Sequence, residues 1–164
     1  MATTEIPKLE QQLQPINIQV MEVTHSPRGN KLQNRIVLHL PKPKTPSEKM
    51  IQEHVINSFS WKMPALIPFT FQNNTVLNLA KHLKRHATGS SATLYQYVYG
   101  VYRFSKWIKR DPDTIVKEAE KNHHMYVAII DDFIGDLQAQ GLAPGTIANH
   151  VKSVRPSSRR TECP

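Results

Sequence analysis

The stretch from Ala92 to Lys109 constrains this chain most, because its apolar residues recur at helical spacing over five turns. Leu94, Val98, Val101, Ser105 and Ile108 follow the i, i+4, i+7, i+11, i+14 rule, and Tyr97, Phe104 and Trp107 widen that stripe. Gln96, Arg103, Lys106 and Arg110 form a polar, basic stripe on another face. The flanking sequence repeats the theme. Asn73 or Asn74 can cap a helix over Thr75 to His86, with Val76, Leu79, Ala80 and Leu83 on one face and Lys81, Lys84 and Arg85 elsewhere. Thr88-Gly89-Ser90-Ser91 ends that helix and caps the next.

Beyond the long helix, Asp111-Pro112-Asp113 is a turn that starts a short helix from Thr114 to about Glu120. Asn122-His123-His124 punctuates. A further long helix spans Met125 to Gln140, with Tyr126, Ile130, Phe133 and Leu137 in its stripe and Ile129 and Ile134 beside it. Gly141 suits a left-handed C-cap. Pro144 and Gly145 open a last helix with Thr146 in its first turn and Ile147, Val151 and Val154 facing inward.

The first 72 residues carry weaker signals. Met1 to Pro15 is polar and reads as loose. Ile16, Ile18, Val20 and Glu22 share one face, the alternation of a strand. His25 to Asn30 (HSPRGN) is a turn signal, and Arg35 to Leu40 (RIVLHL) is a second β-prone run. The two runs can pair as a short hairpin, which is marginal in isolation. Pro41 to Ser47 (PKPKTPS) reads as a linker. Glu48 to Phe71 leaves two readings open: EKMIQEHVINSF can be a short helix, and Pro64 and Pro68 break the remainder of the stretch. The fold expected is mainly α: four to five helices over residues 73–155, an N-terminal extension over 1–72 that is loose or in short strands, and an unstructured tail over 156–164.

Composition limits the function classes. Of 164 residues, 21 are Lys or Arg and 13 are Asp or Glu, a formal net charge of +8 that favours polyanionic partners. Cys163 is the sole cysteine, so an intrachain disulfide and a Cys-based zinc site are both excluded. No apolar run approaches the roughly 20 residues a membrane span needs. MATTEIPKLEQQLQP lacks the basic and apolar regions of a secretory signal, and a reducing cytoplasm fits best.

Ser91 to Trp107 reads S-x-T-L-x-x-Y-x-x-x-V-x-x-F-x-x-W. The DPDTI turn, an I-x-x-F-I-x-x-L helix and G-L-A-P-G-T-I-A-N-H-V-K-S-V-R (Gly141 to Arg155) come next, in that order. This succession resembles the core-binding, SAM-like domain of tyrosine recombinases (phage integrases) over roughly half the chain. The Asn74 to His86 helix resembles a leader segment of archaeal members. The resemblance implies half of a clamp around duplex DNA, possessing no cofactor and no small-molecule substrate, and with other recombinase subunits as further partners. In that family a separate catalytic domain supplies a tyrosine that attacks a DNA phosphate, with arginines, a lysine and histidine-type groups stabilising the developing charge. No tyrosine follows Tyr126 here, and PSSRRTECP does not resemble that continuation. The expectation is therefore a DNA-binding chain without catalytic residues, a truncated or frameshifted integrase or an isolated N-terminal part of one.

Two elements are expected to meet DNA. Ser90, Ser91 and Thr93 offer hydroxyls and free amides at a helix N-terminus, a ready phosphate site, and Arg103, Lys106 and Arg110 extend a basic stripe along the same helix. On the last helix Thr146, Asn149, His150, Lys152, Ser153 and Arg155 are left for the surface, with Asn149 suited to adenine edges. For any one of these the plain alternative is a solvated helix face. Other signals carry less. His82 and His86 are spaced i, i+4 like metal ligands, but no third ligand is evident, so no metal is expected. His123-His124 reads as a helix start, and Asp131, Asp132 and Asp136 as a soluble helix face. Tyr99 and Tyr102 stay open to base stacking. The rival readings are a helical protein-interaction module, a truncated regulator competing with a full-length integrase, and an enzyme seated in the N-terminal half, where no catalytic arrangement can be named.

Overall fold

A computed structural model describes residues 18–25, 34–86 and 89–155. The expectations for Met1 to Pro15, the turn beyond His25, Thr88 and the 156–164 tail lie outside the described residues. Among them the chain is mainly helical, with one small antiparallel sheet.

The sheet comes first. β1 (Ile18–His25) pairs with β2 (Asn34–Pro41), Met21 lying opposite Leu38 and Val20 opposite His39. Directly opposed residues share a face. Leu38 and Leu40 are buried against the helices and take Ile36 and Met21 with them, so Val20 and Val37 turn outward. The stronger apolar face of β2 thus sets the parity of β1, and the face carrying Val20 is the outer one.

The stretch read as a linker is shorter than expected, because a helix begins inside it. α1 (Pro46–Phe59) starts on Thr45, whose Oγ1 accepts the Glu48 amide at 3.2 Å, while Glu48 Oε2 accepts the Lys44 amide at 2.6 Å. Thr45 thus caps the helix and Glu48 ties the residue before the cap to the first turn, where Pro46 sits and its missing N–H costs nothing. The same logic overturns the breaker reading of Pro68. α2 (Leu66–Gln72) holds Pro68 in its first turn, among amides that have no intrahelical acceptor.

Five helices follow: α3 (Asn74–His86), α4 (Ser91–Ile108), α5 (Pro112–Lys121), α6 (His123–Ala139) and α7 (Pro144–Lys152). Their punctuation is chemical. Asp111 Oδ1 accepts the Thr114 amide at 2.9 Å and starts α5, and Gly141 turns the chain after α6 at φ 75°. Lys109 ends α4 in the left-handed region at φ 57°. The cap expected of Asn73 or Asn74 comes from elsewhere. Asn73 Nδ2 donates back to the Phe69 carbonyl at 2.8 Å, and Asp113 accepts the Asn74 and Thr75 amides at 3.0 and 2.7 Å.

Two apolar clusters result. Leu38, Leu40, Ile51, Val55, Phe59, Leu66, Ile67, Val76, Leu94 and Val98 form the first, with Ala80 and Leu83. Phe104, Ile130, Phe133, Leu137, Ile147 and Val151 form the second. α4 belongs to both, through Leu94 and Val98 at one end and Phe104 at the other. The first cluster runs across the boundary expected at Gln72 and Asn73, so α1, α2 and β2 share a core with α3 and α4. Ile51, Val55, Phe59, Leu66 and Ile67 cannot be left in water once α3 and α4 offer them an apolar wall.

Candidate nucleic-acid interface

α4 and α7 are joined at a glycine. A Cβ on Gly100 would stand 2.8 Å from the His150 carbonyl oxygen and would also collide with the Ser153 side chain. The pair runs antiparallel: Tyr97 lies by Lys152, Gly100 by His150 and Ser153, and Arg103 by His150 and by Gln140 at the end of α6. The start of α4, with Ser90 and Ser91, is therefore at the end where α7 finishes in Lys152, Ser153 and Arg155. Ser90 occupies the N-cap position but its hydroxyl accepts no helix amide, which leaves that end of α4 uncapped by its own side chain. Ser91 is exposed and Thr93 half-buried.

The expected DNA-binding residues divide into two groups. Arg103 and Lys106 share the outer stripe of α4. Arg103 is half-buried and held in place, Nη1 3.3 Å from His150 Nε2 and Nη2 donating to Gln140 Oε1 at 3.1 Å. A guanidinium has five N–H donors, so this anchoring leaves others for a ligand. Lys106 is exposed, with its ammonium 5.4 Å from the Tyr102 ring. Lys152 reaches the ring of Tyr97, which points from α4 on the side opposite Lys106, so Lys152 and Arg155 lie on the other flank. Thr146 and Asn149 are exposed on α7.

Two residues depart from expectation. His150 is 7% exposed instead of lying on the surface. It is packed between Arg103 and the Tyr99 ring, 5.5 Å away, and burial, then the Arg103 charge, lowers its pKa below the ordinary 6.5. The close approach at Gly100 draws this part of α7 down onto α4 and covers the imidazole. His150 therefore serves as a support for Arg103. Arg110 also leaves the stripe: the chain turns at Lys109, and Arg110 pairs with Glu118, which accepts the Tyr126 hydroxyl at 2.5 Å. Ser153 is half-buried, its hydroxyl donating to the His150 carbonyl at 2.7 Å.

The structure adds Tyr95, Lys62 and Trp61 to the surface and joins them to Tyr99, which the sequence left open to base stacking. Tyr95 and Tyr99 stack one turn apart on the outer stripe, centroids 5.6 Å apart and planes within 8°. Lys62, in the turn between α1 and α2, places its ammonium 4.8 Å from the Tyr95 ring, and Trp61 beside it is 60% exposed. Cations interleaved with aromatic rings suit phosphates and base faces together. A sequence signal for this surface exists in the charge order. From His54 to Arg110 there is no Asp or Glu but eight Lys and Arg, whereas seven of the 13 acids fall between Asp111 and Gln140.

Searches against protein-family models, curated proteins and solved structures give no match for this chain. Among the described residues no helix is long and apolar enough to cross a membrane, and no group of three or more His, Cys, Asp or Glu could hold a metal ion. His82 and His86 do approach, with ring centroids 4.8 Å apart.

Proposed function

We propose that this chain binds double-stranded DNA through α4 and α7, as the core-binding half of a tyrosine-recombinase clamp, and contributes contacts instead of chemistry. The observation that carries the reading is that the two helices packed most closely at Gly100 contain no carboxylate. Both present cations: Arg103 and Lys106 from one, Lys152 from the other. Each cation that neutralises a phosphate releases counterions, so affinity on this reading comes with a steep salt dependence. Arg103, anchored by His150 and Gln140, holds a fixed orientation, while Lys106 and Lys152 act as movable point charges. Asn149 is the residue suited to read a base edge.

Titration of a fluorescent duplex at several salt concentrations tests this. The expected result is binding at low salt that weakens steeply as salt rises. Arg103→Ala/Lys106→Ala and Lys152→Ala/Arg155→Ala should each lower the slope by about one for every phosphate no longer neutralised. An absence of binding at low salt would overturn the reading, and so would binding indifferent to salt. Whether the chain also blocks a full-length recombinase is then read from its competition for the same duplex.

A further inference from the structure

Among the described residues the second core is not closed over. An open groove of about 1650 Å³ runs between α5 and α6 on one side and α3 and α7 on the other, with Tyr97 and Phe104 of α4 at its floor. Its walls are apolar, including Val116 and Ala119 of α5, Val127 and Ile134 of α6, and Ile147 and Ala148 of α7. Val116 and Val127 remain 39% and 43% exposed. The groove exceeds the roughly 300–1,000 Å³ of small-molecule sites, so its scale suits a segment of polypeptide.

The charges on its lips differ. Lys152 and Arg155 line the α7 side, and exposed Arg85 lies one turn along α3 from the lining residue His82. Glu120 lines the other side, where exposed Asp131 lies one turn along α6 from Val127. This polarity follows the helices' composition: α3 and α7 contain no Asp or Glu, whereas α5 and α6 are acid-rich. An occupant must therefore offer an apolar stripe with carboxylates along one flank. The chain beyond Arg155, PSSRRTECP, has no large apolar side chain and is itself basic. A second copy would bring a net charge of +8 against +8, which repels.

We propose that this groove docks an amphipathic helix of a partner protein, its apolar stripe laid between α5–α6 and α7 and its acidic flank facing Lys152 and Arg155. Such a helix anchors through residues at i, i+3, i+4 and i+7. The proposal does not depend on DNA binding, although Lys152 and Arg155 serve both, so acidic helix and duplex compete for them.

The test uses the full chain and two labelled synthetic helices with the same leucine stripe, one flanked by Glu and one by Lys, followed by fluorescence anisotropy. The Glu-flanked peptide should bind, and Val116→Asp/Val127→Asp should weaken it by about tenfold or more, with helical content checked by circular dichroism. Ala148→Glu, at an exposed lining position, blocks the groove by bulk and charge and stands in should the double variant lose helix. Lys152→Glu/Arg155→Glu should reverse the preference toward the Lys-flanked peptide. Equal binding by wild type and the groove variants would overturn the proposal, since the attraction would then be charge acting elsewhere. Equal affinity of the wild type for both peptides would overturn it too. So would a dimer of the wild type that Val127→Asp converts to monomer, because a second copy would then be the occupant.

Discussion

Gly100 lacks a side chain where there is no room for one, and that absence sets the distance between the two helices of the candidate interface. An alanine there would gain helix propensity of about 0.5–1 kcal/mol. Its methyl group would press on the backbone carbonyl of His150, which cannot rotate away, and overpacking of this kind costs about 1–3 kcal/mol. Gly100→Ala is therefore expected to destabilise by about 1–2 kcal/mol in urea denaturation, and equal or greater stability would show that α7 gives way freely. His150 governs the same contact through its proton. Its pKa is lowered in the fold by burial and then by Arg103. Between that value and the ordinary 6.5 the unfolded chain holds the extra proton, so acid favours unfolding. The contribution is complete above 6.5 and is lost as pH falls through the folded value. Thermal melts across this range should show Tm falling with pH, and His150→Gln, which keeps an acceptor for Arg103, should flatten the curve. His54 is lowered by burial and then by Lys84, with the same sign, so some slope remains. An unchanged slope in His150→Gln would remove His150 as the cause.

Among the elements, α3 and α5 are tied by a carboxylate 39 residues away from the helix it caps. Asp113 is partly desolvated, which opposes its ionisation. The hydrogen bonds from Thr75 and Asn74 outweigh that and hold its carboxyl below the usual range. A folded pKa below the unfolded one means stability that is present at neutral pH and lost as acid titrates the folded carboxyl. Asp113→Ala should cost about 1 kcal/mol, the usual worth of a helix cap, and Asp113→Asn should recover part of it. If neither variant shifts the denaturation midpoint, the bond does not contribute. This cap also marks where sequence reading stops. α4, α6 and α7 are legible because an amphipathic period and a Pro or Gly boundary are local properties, written in consecutive residues. Asn73 looks like a cap by the same local rule, but the position is settled by a residue from another helix. Likewise the parity of β1 depends on Leu38 across the strand pair, and α2 depends on Pro68 falling in the first turn. The candidate site is legible to the same degree: Arg103, Lys106, Asn149 and Lys152 follow from outward helical phase, whereas the burial of His150 follows only from the approach at Gly100, and Lys62 reaches Tyr95 from a turn that no period describes.

For the molecule as a whole, α4 belongs to both apolar clusters, with Leu94 and Val98 in the first and Phe104 in the second. Opening either cluster exposes part of α4, so its central amides exchange only when both cores are lost. α5 is the opposite case. Among its residues only Pro112 is buried, and Val116 faces the open groove. A helix with so little apolar surface covered opens locally at low cost, without waiting for global unfolding. Amide hydrogen exchange should therefore find the slowest sites between Val98 and Phe104, while α5 exchanges through an opening cheaper by about 2 kcal/mol or more. The same ordering bears on recognition. The stripe carrying Arg103 would sit on the last element to open, and the helix lining one side of the groove on the first. A partner helix laid in the groove covers Val116 and should slow exchange in α5 selectively, whereas DNA on the outer stripe should leave α5 unchanged. Protection in α5 equal to that of α4 in the free chain would contradict this, and would mean that the two clusters unfold together with every helix that touches them.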